Sequence, residues 1–189
     1  MVSSAVEATA TEDMPRKAAG TFAVPPGVVA VVAIALAAGC FVKFESAGRA
    51  VVAAGFCAVL AVLAAIDLER RLIPNRIVIP AGVLVLLGDI AVEPHKAKEW
   101  TIAAFATLLG GVLISLATRG GIGMGDAKLG FLLGAGLGWS VVAGLVWASV
   151  GVFLAAVVVL LRRGSAGRKD TLPFGPFLAL GAVIALFLS

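Results

Sequence analysis

Two aspartates stand where apolar runs of this chain meet polar turns. Asp67 follows the apolar run Ala50–Ile66 and heads the polar stretch Asp67-Leu68-Glu69-Arg70-Arg71. Asp126 closes the glycine-dense stretch Gly120-Gly121-Ile122-Gly123-Met124-Gly125 and opens another apolar run. An ionisable group at the edge of a membrane segment is costly to bury, so it is a functional candidate by default. Two carboxylates a few ångströms apart cannot both ionise easily, and they share one proton. The ionised member can take a proton from water while the protonated member polarises a peptide carbonyl. Such a pair cleaves amides without a metal, a cofactor or a covalent intermediate, so no cofactor and no metal site are expected. Taken singly, each acid reads equally well as a helix cap or a solvated loop charge. The chemistry needs the two to meet.

The elements that must bring them together are membrane helices. Of the 189 residues, 61% are hydrophobic and only 14% charged. Ordinary soluble domains are about 45–50% apolar and about 25% charged. The fold class expected is therefore an all-α polytopic membrane protein, a bundle of six to seven transmembrane helices. The alternation that marks barrel strands is absent, which leaves helices as the spanning element. Residues 1–23 are polar and mixed in charge and read as a disordered tail, and residues 24–189 as one membrane-embedded domain. The net charge of +4 comes from short basic clusters between apolar runs. That pattern points to topology signals and contact with membrane lipids, and away from nucleic acid. Cys40 and Cys57 lie inside apolar runs without CxxC spacing, and read as small buried residues.

Seven segments follow from the pattern: Val24–Val42, Ala50–Ile66, Ile77–Val92, Trp100–Thr118, Asp126–Leu137, Ser140–Leu161 and Leu172–Leu188. The apolar run from Ala127 to Leu161 is too long for one crossing of a core about 30 Å thick. Gly138-Trp139-Ser140 is the expected break. With the N-terminus inside, 11 basic residues fall on the inner side and only Lys43, Arg49, Lys96 and Lys98 on the outer. Were the fifth segment merely re-entrant, this bias would vanish, so the positive-inside rule favours seven crossings. Asp67 then ends the second helix and Asp126 begins the fifth at the same, cytoplasmic, face. A helix N-terminus favours negative charge and a C-terminus disfavours it, so Asp126 is expected to ionise the more readily and Asp67 to hold the proton.

Other residues have quieter readings. Gly130, Gly134 and Gly138 recur every four residues and predict close helix packing. Asp89 lies near the outer face, where an interhelical polar contact fits. Glu69, Arg70 and Arg71 read as a solvated face, and Trp100 and Trp139 as interface aromatics.

Three stretches together resemble the type IV prepilin peptidases. Ile66-Asp67-Leu68 with Ile73-Pro74-Asn75 looks like the family's first-aspartate motif. Gly123-Met124-Gly125-Asp126-Ala127-Lys128-Leu129 looks like its GxGD motif, and Leu172-Pro173-Phe174-Gly175-Pro176-Phe177 like its C-terminal signature. The resemblance implies an intramembrane aspartyl endopeptidase with Asp67 and Asp126 as its catalytic pair. Gly123, Gly125, Lys128, Pro74, Asn75, Pro173 and Gly175 would then contribute the active-site loops and substrate contacts. It implies a prepilin or pseudopilin partner, cut after a glycine that ends a short basic leader, at the cytoplasmic face of the inner membrane. Many members also carry paired CxxC motifs in a loop and methylate the new N-terminus. This chain resembles the short, peptidase-only form, and no methyltransferase activity is expected. The oligomeric state is left open. Two other classes compete: a proton-coupled transporter or channel using the same acids as a relay, and a non-catalytic scaffold.

Overall fold

The computed structural model describes residues 24–70, 73–117, 124–163 and 173–189. Among these are seven α-helices and no strand: α1 (Pro26–Lys43), α2 (Ala47–Arg70), α3 (Asn75–Val92), α4 (Ala97–Ala117), α5 (Met124–Leu137), α6 (Val141–Arg163) and α7 (Gly175–Leu188). Short 3-10 turns at Pro94–Lys96 and Gly138–Ser140 precede α4 and α6. Five helical stretches are long and apolar enough to cross a membrane. The all-α polytopic expectation therefore holds. The predicted polar tail, residues 1–23, lies outside the described residues.

The helix ends follow local chemistry. Pro26 opens α1 and Pro176 stands in the first turn of α7, where a missing N–H costs nothing. Lys43 and Arg70 sit in the last turns of α1 and α2, against the negative ends of those helices. Pro74 precedes α3 in extended backbone, so Asn75 begins that helix rather than extending the turn.

The longest apolar stretch, Gly125–Arg162, spans 38 residues. It breaks where the sequence predicts. Gly138 has φ +56°, a conformation that side chains with a Cβ rarely adopt. Contacts show that the chain reverses there. Along α4, Gly111, Thr107 and Ala103 meet Ala127, Gly130 and Gly134 of α5 in turn. Along α6, Gly144 meets Ala185 and Gly151 meets Phe177 of α7. Both pairs are therefore antiparallel; Gly125 at the start of α5 meets Ile73 and Gly175 at the start of α7 meets Asp67, so α5 and α7 start at one end and α6 runs opposite to α5. At 14 residues, α5 is about 21 Å long, shorter than a standard crossing.

Asp67, Asp126 and Gly175 thus share one end of the bundle, here termed the near end. Arg49, Asp89 and Trp139 mark the far end. Lipid tails are as apolar as the helices, so close van der Waals packing must hold the bundle together. The glycines of α5 supply it. A Cβ on Gly134 would lie 2.5 Å from the Ala103 carbonyl oxygen, and one on Gly130 would lie 3.3 Å from that of Thr107. The Thr107 hydroxyl crosses the same seam and donates to the Gly130 carbonyl at 2.8 Å. The glycine stripe expected from sequence is this seam. On the opposite side of α5, Gly136 faces the Phe56 ring of α2, and Phe131 packs over Gly82 of α3.

The far end is tied by charge. Arg49 of α2 pairs with Asp89 of α3, which is 1% exposed. The guanidinium lies 4.8 Å above the Trp100 ring of α4 and 5.6 Å from that of Phe44. Asp89 therefore makes the interhelical contact expected of it. Trp100 departs from expectation: it is 2% exposed, buried beneath Arg49 rather than set at the membrane interface. Trp139 remains exposed. Cys40 and Cys57 are both buried and free, as predicted, and face each other across α1 and α2 with their sulfurs 3.9 Å apart.

Candidate active site

At the near end the three motifs converge. Asp67 sits one turn before the end of α2 and is 6% exposed. Its Oδ2 accepts a hydrogen bond from the backbone N–H of Gly175 at 2.9 Å. That N–H belongs to the first residue of α7 and has no partner within its own helix. Only glycine fits at the contact. A Cβ on residue 175 would lie 2.7 Å from Asp67 Oδ2 and 3.0 Å from its Cγ. The last motif is thus built around the first aspartate.

The second contact joins the first motif to the middle one. Ile73 lies 3.2 Å from where a Cβ on Gly125 would stand, so the chain leaving α2 packs directly against the turn of α5 that carries Asp126. Asp126 lies in the first turn of α5 and lines a cavity of about 440 Å³. Phe174, the residue before Gly175, lines the same cavity. Asp67 and Asp126 are thereby linked through two neighbours, Ile73–Gly125 and Gly175–Phe174.

The surroundings of Asp67 include a helix end that its own helix does not supply. Asp67 does end its own helix, where negative charge is disfavoured. Its carboxylate, however, is turned onto the positive N-terminal end of α7 and receives an N–H there. Asp67 thus stands near the end of one helix and at the start of another, while Asp126 lies in the first turn of its own. The polarity of a single helix was legible in the sequence, whereas the end of a helix 108 residues further along was not.

The remaining candidates divide. Pro74 stands as the residue before α3, and Asn75, at the start of α3, is exposed. Lys128 is half-buried one turn into α5, and Pro173 is half-buried ahead of α7. Gly123 lies outside the described residues. Glu69 departs from its reading as part of a solvated face. It is still helical, and its Oε1 is shielded from solvent with no hydrogen-bond partner among the described residues. Sequence analysis missed Phe174 as a cavity residue. The signal was present in the motif, but apolar type alone did not set it apart.

Comparison with known proteins identifies the family. Residues 54–161, more than half of the chain, match the model of the type IV leader peptidase family. A prepilin leader peptidase/N-methyltransferase of Burkholderia pseudomallei is 36% identical over 158 residues, covering 81% of this chain and 51% of that protein. Proteins of the same description from Aeromonas hydrophila and Bacillus subtilis are 33% and 31% identical, covering 68% and 69% of this chain. The chain spans about half the length of these curated relatives. No solved structure matches. The near-end motifs lie on a multi-pass helical bundle whose sequence matches one family over most of its membrane region, and this chain belongs to the type IV leader peptidase family.

Proposed function

We propose that this protein is an intramembrane aspartyl endopeptidase that removes the short basic leader of type IV prepilins or pseudopilins. In this reading Asp67 and Asp126 are the catalytic pair. The observation that carries it is the convergence at the near end: Gly175 donates to Asp67, Ile73 packs on Gly125 beside Asp126, and Phe174 and Asp126 line one cavity. Three motifs separated in sequence have no reason to be built around one another unless the two acids work together.

The chemistry is general acid–base hydrolysis. One carboxylate takes a proton from water as the oxygen attacks the carbonyl carbon of the cut bond. The other, protonated, donates to the carbonyl oxygen, giving a neutral tetrahedral diol. Collapse breaks the C–N bond, returns a proton to the leaving amine and yields a carboxylic acid. The Gly175 N–H keeps Asp67 oriented throughout, because an acid fixed within a few tenths of an ångström is worth far more than a mobile one. The near end is assigned to the cytoplasmic side of the inner membrane on the distribution of basic residues. The relay and scaffold readings draw no support from the family match.

The test is co-expression in membranes with a prepilin carrying its leader, followed by a mass measurement of the pilin. Loss of the leader after glycine with wild type, and none with Asp67→Asn or Asp126→Asn at matched membrane levels, is the expected result. Full cleavage by either variant would overturn the catalytic pair. A mature mass without an added methyl group is expected for peptide cleavage alone.

A further inference from the structure

Asp126 stands in the first turn of α5, so its place depends on what holds that turn. On one side Ile73, on the chain leaving α2, packs against Gly125. The other side meets α4. A Cβ on Gly111 would lie 2.8 Å from the Cα of Ala127 and 2.9 Å from its Cβ. Residues 125 and 127 are two positions apart, which is about 200° around a helix. The two contacts therefore press on nearly opposite faces of α5, one immediately before the acid and one immediately after it.

Gly111 lies in the interior of α4, where glycine is a poor choice. It gives up more backbone freedom on folding than alanine does. Its neighbour Gly110 has nothing within 4 Å of where a Cβ would stand, so alanine would fit there without contact. Only at 111 does the missing side chain admit the backbone of α5. A backbone atom has no rotamer with which to yield. An added Cβ would have to displace α5 itself, from 2.8 Å to an ordinary contact of 3.4 Å, or about 0.6 Å.

We propose that Gly111 is a positioning residue for the Asp126 carboxylate: it seats the start of α5 against Ile73, so that the acid is held at a fixed place relative to Asp67. The inference rests on the peptidase reading above. It gives α4 a part in the reaction although α4 carries neither acid. A misplacement of about 1 Å can cost about 10²-fold in rate, so about 0.6 Å corresponds to about tenfold.

The experiment compares wild type, Gly111→Ala and Gly88→Ala for prepilin cleavage in proteoliposomes across pH, with thermal unfolding of the same preparations. Gly88 of α3 is the control. A Cβ there would lie 2.9 Å from Val52 Cγ2 of α2, a similarly close approach, but at the far end. Both variants should unfold at a lower temperature than wild type. Gly111→Ala should lose about tenfold in kcat per folded molecule with KM nearly unchanged, because the acid is misplaced for the transition state and not for binding. The separation between the two limbs of its pH–rate profile should also change, since that separation reports the coupling of the two acids. Gly88→Ala should keep both limbs in place and kcat within about twofold of wild type. Where Gly111→Ala does not accumulate, Ala127→Gly takes its place. It removes the methyl on the α5 side of the same contact, loosens the turn, and should lower kcat severalfold with the same signature. If wild type removes the leader and the variant at this contact keeps its kcat, or loses activity only in step with folded protein while both limbs stay put, Gly111 is structural and the peptidase reading stands. An equal loss of kcat in Gly88→Ala would overturn the assignment in the same way. If wild type never removes the leader, the peptidase reading falls and the positioning role falls with it.

Discussion

Among the described residues one carboxylate is buried at each end of the bundle, Asp67 and Asp89, and the two are served differently. Asp89 at the far end faces a guanidinium, itself stacked over Trp100. Asp67 at the near end accepts from the backbone N–H of Gly175. A buried acid paired with a fixed cation is satisfied and inert, and its value lies in tying α2, α3 and α4 together. Under the proposed function, an acid held by a neutral donor rather than a fixed cation keeps an oxygen for proton transfer. If Asp67 works as proposed, the nature of its partner, and not burial alone, separates it from Asp89.

Four experiments would break or sharpen that contrast. The largest effect is expected from Asp67→Asn and Asp126→Asn. Removing a group that moves a proton in the transition state costs about 10²–10⁴ in rate. Leader cleavage should drop at least that far while thermal unfolding of the purified protein changes little.

Asp89→Asn should invert the pattern. It leaves Arg49, whose side chain is 15% exposed, without its principal counter-charge; breaking a fully buried pair typically costs about 3–5 kcal/mol, and partial exposure sets this one toward the low side. Glu93 Oε1, 4.0 Å from Arg49 Nε, offers a partial substitute and argues for the lower end of that range. Cleavage per folded molecule should stay within about twofold of wild type, because distant sites act nearly independently. A large loss of turnover with unchanged stability would erase the distinction between the two ends. Replacing both partners, as in Arg49→Met with Asp89→Leu, should recover much of the lost stability.

Gly175→Ala tests the near-end donor. The added Cβ would fall 2.7 Å from Asp67 Oδ2, so the acid or α7 must shift. A displacement of that order can cost about 10²-fold in turnover. A leader-cleavage assay at matched expression measures it, and wild-type turnover would show that the contact does not position Asp67.

The smallest effect is expected at Glu93. Lys96, 2.8 Å away, holds its carboxyl below the ordinary glutamate range. A lowered acid stabilises the fold at pH values above its unfolded range and loses that contribution as pH falls through its folded value. Glu93→Gln should therefore lower the unfolding temperature slightly at pH 7, with the gap closing in acid. Both partners are partly exposed, so the effect is that of a surface pair. A gap that widened as pH fell would contradict the sign.

Much of this was legible before any coordinates. Apolar run length, the break at Gly138, the glycine spacing in α5 and the positions of Asp67 and Asp126 are all local patterns. What escaped notice were relations between elements. Trp100 read as an interface aromatic because its cation lies on another helix. Glu69 read as solvated because the burial of its Oε1 depends on how the near end packs.

The same division runs through the whole protein. The sequence by itself determined that the chain is a helical membrane bundle, where its helices lie to within a few residues, and which acids lie at one end. Those properties follow from solvation and backbone stereochemistry, which act over a few residues at a time. Only the tertiary structure decided that Asp67 meets the start of α7 and not merely the end of α2. It also decided that Asp89 is neutralised and that Asp126 lines one cavity with Phe174. Each of these depends on which apolar face packs on which, and in a chain apolar on nearly every side that choice is made by the fit of small residues, not by hydropathy.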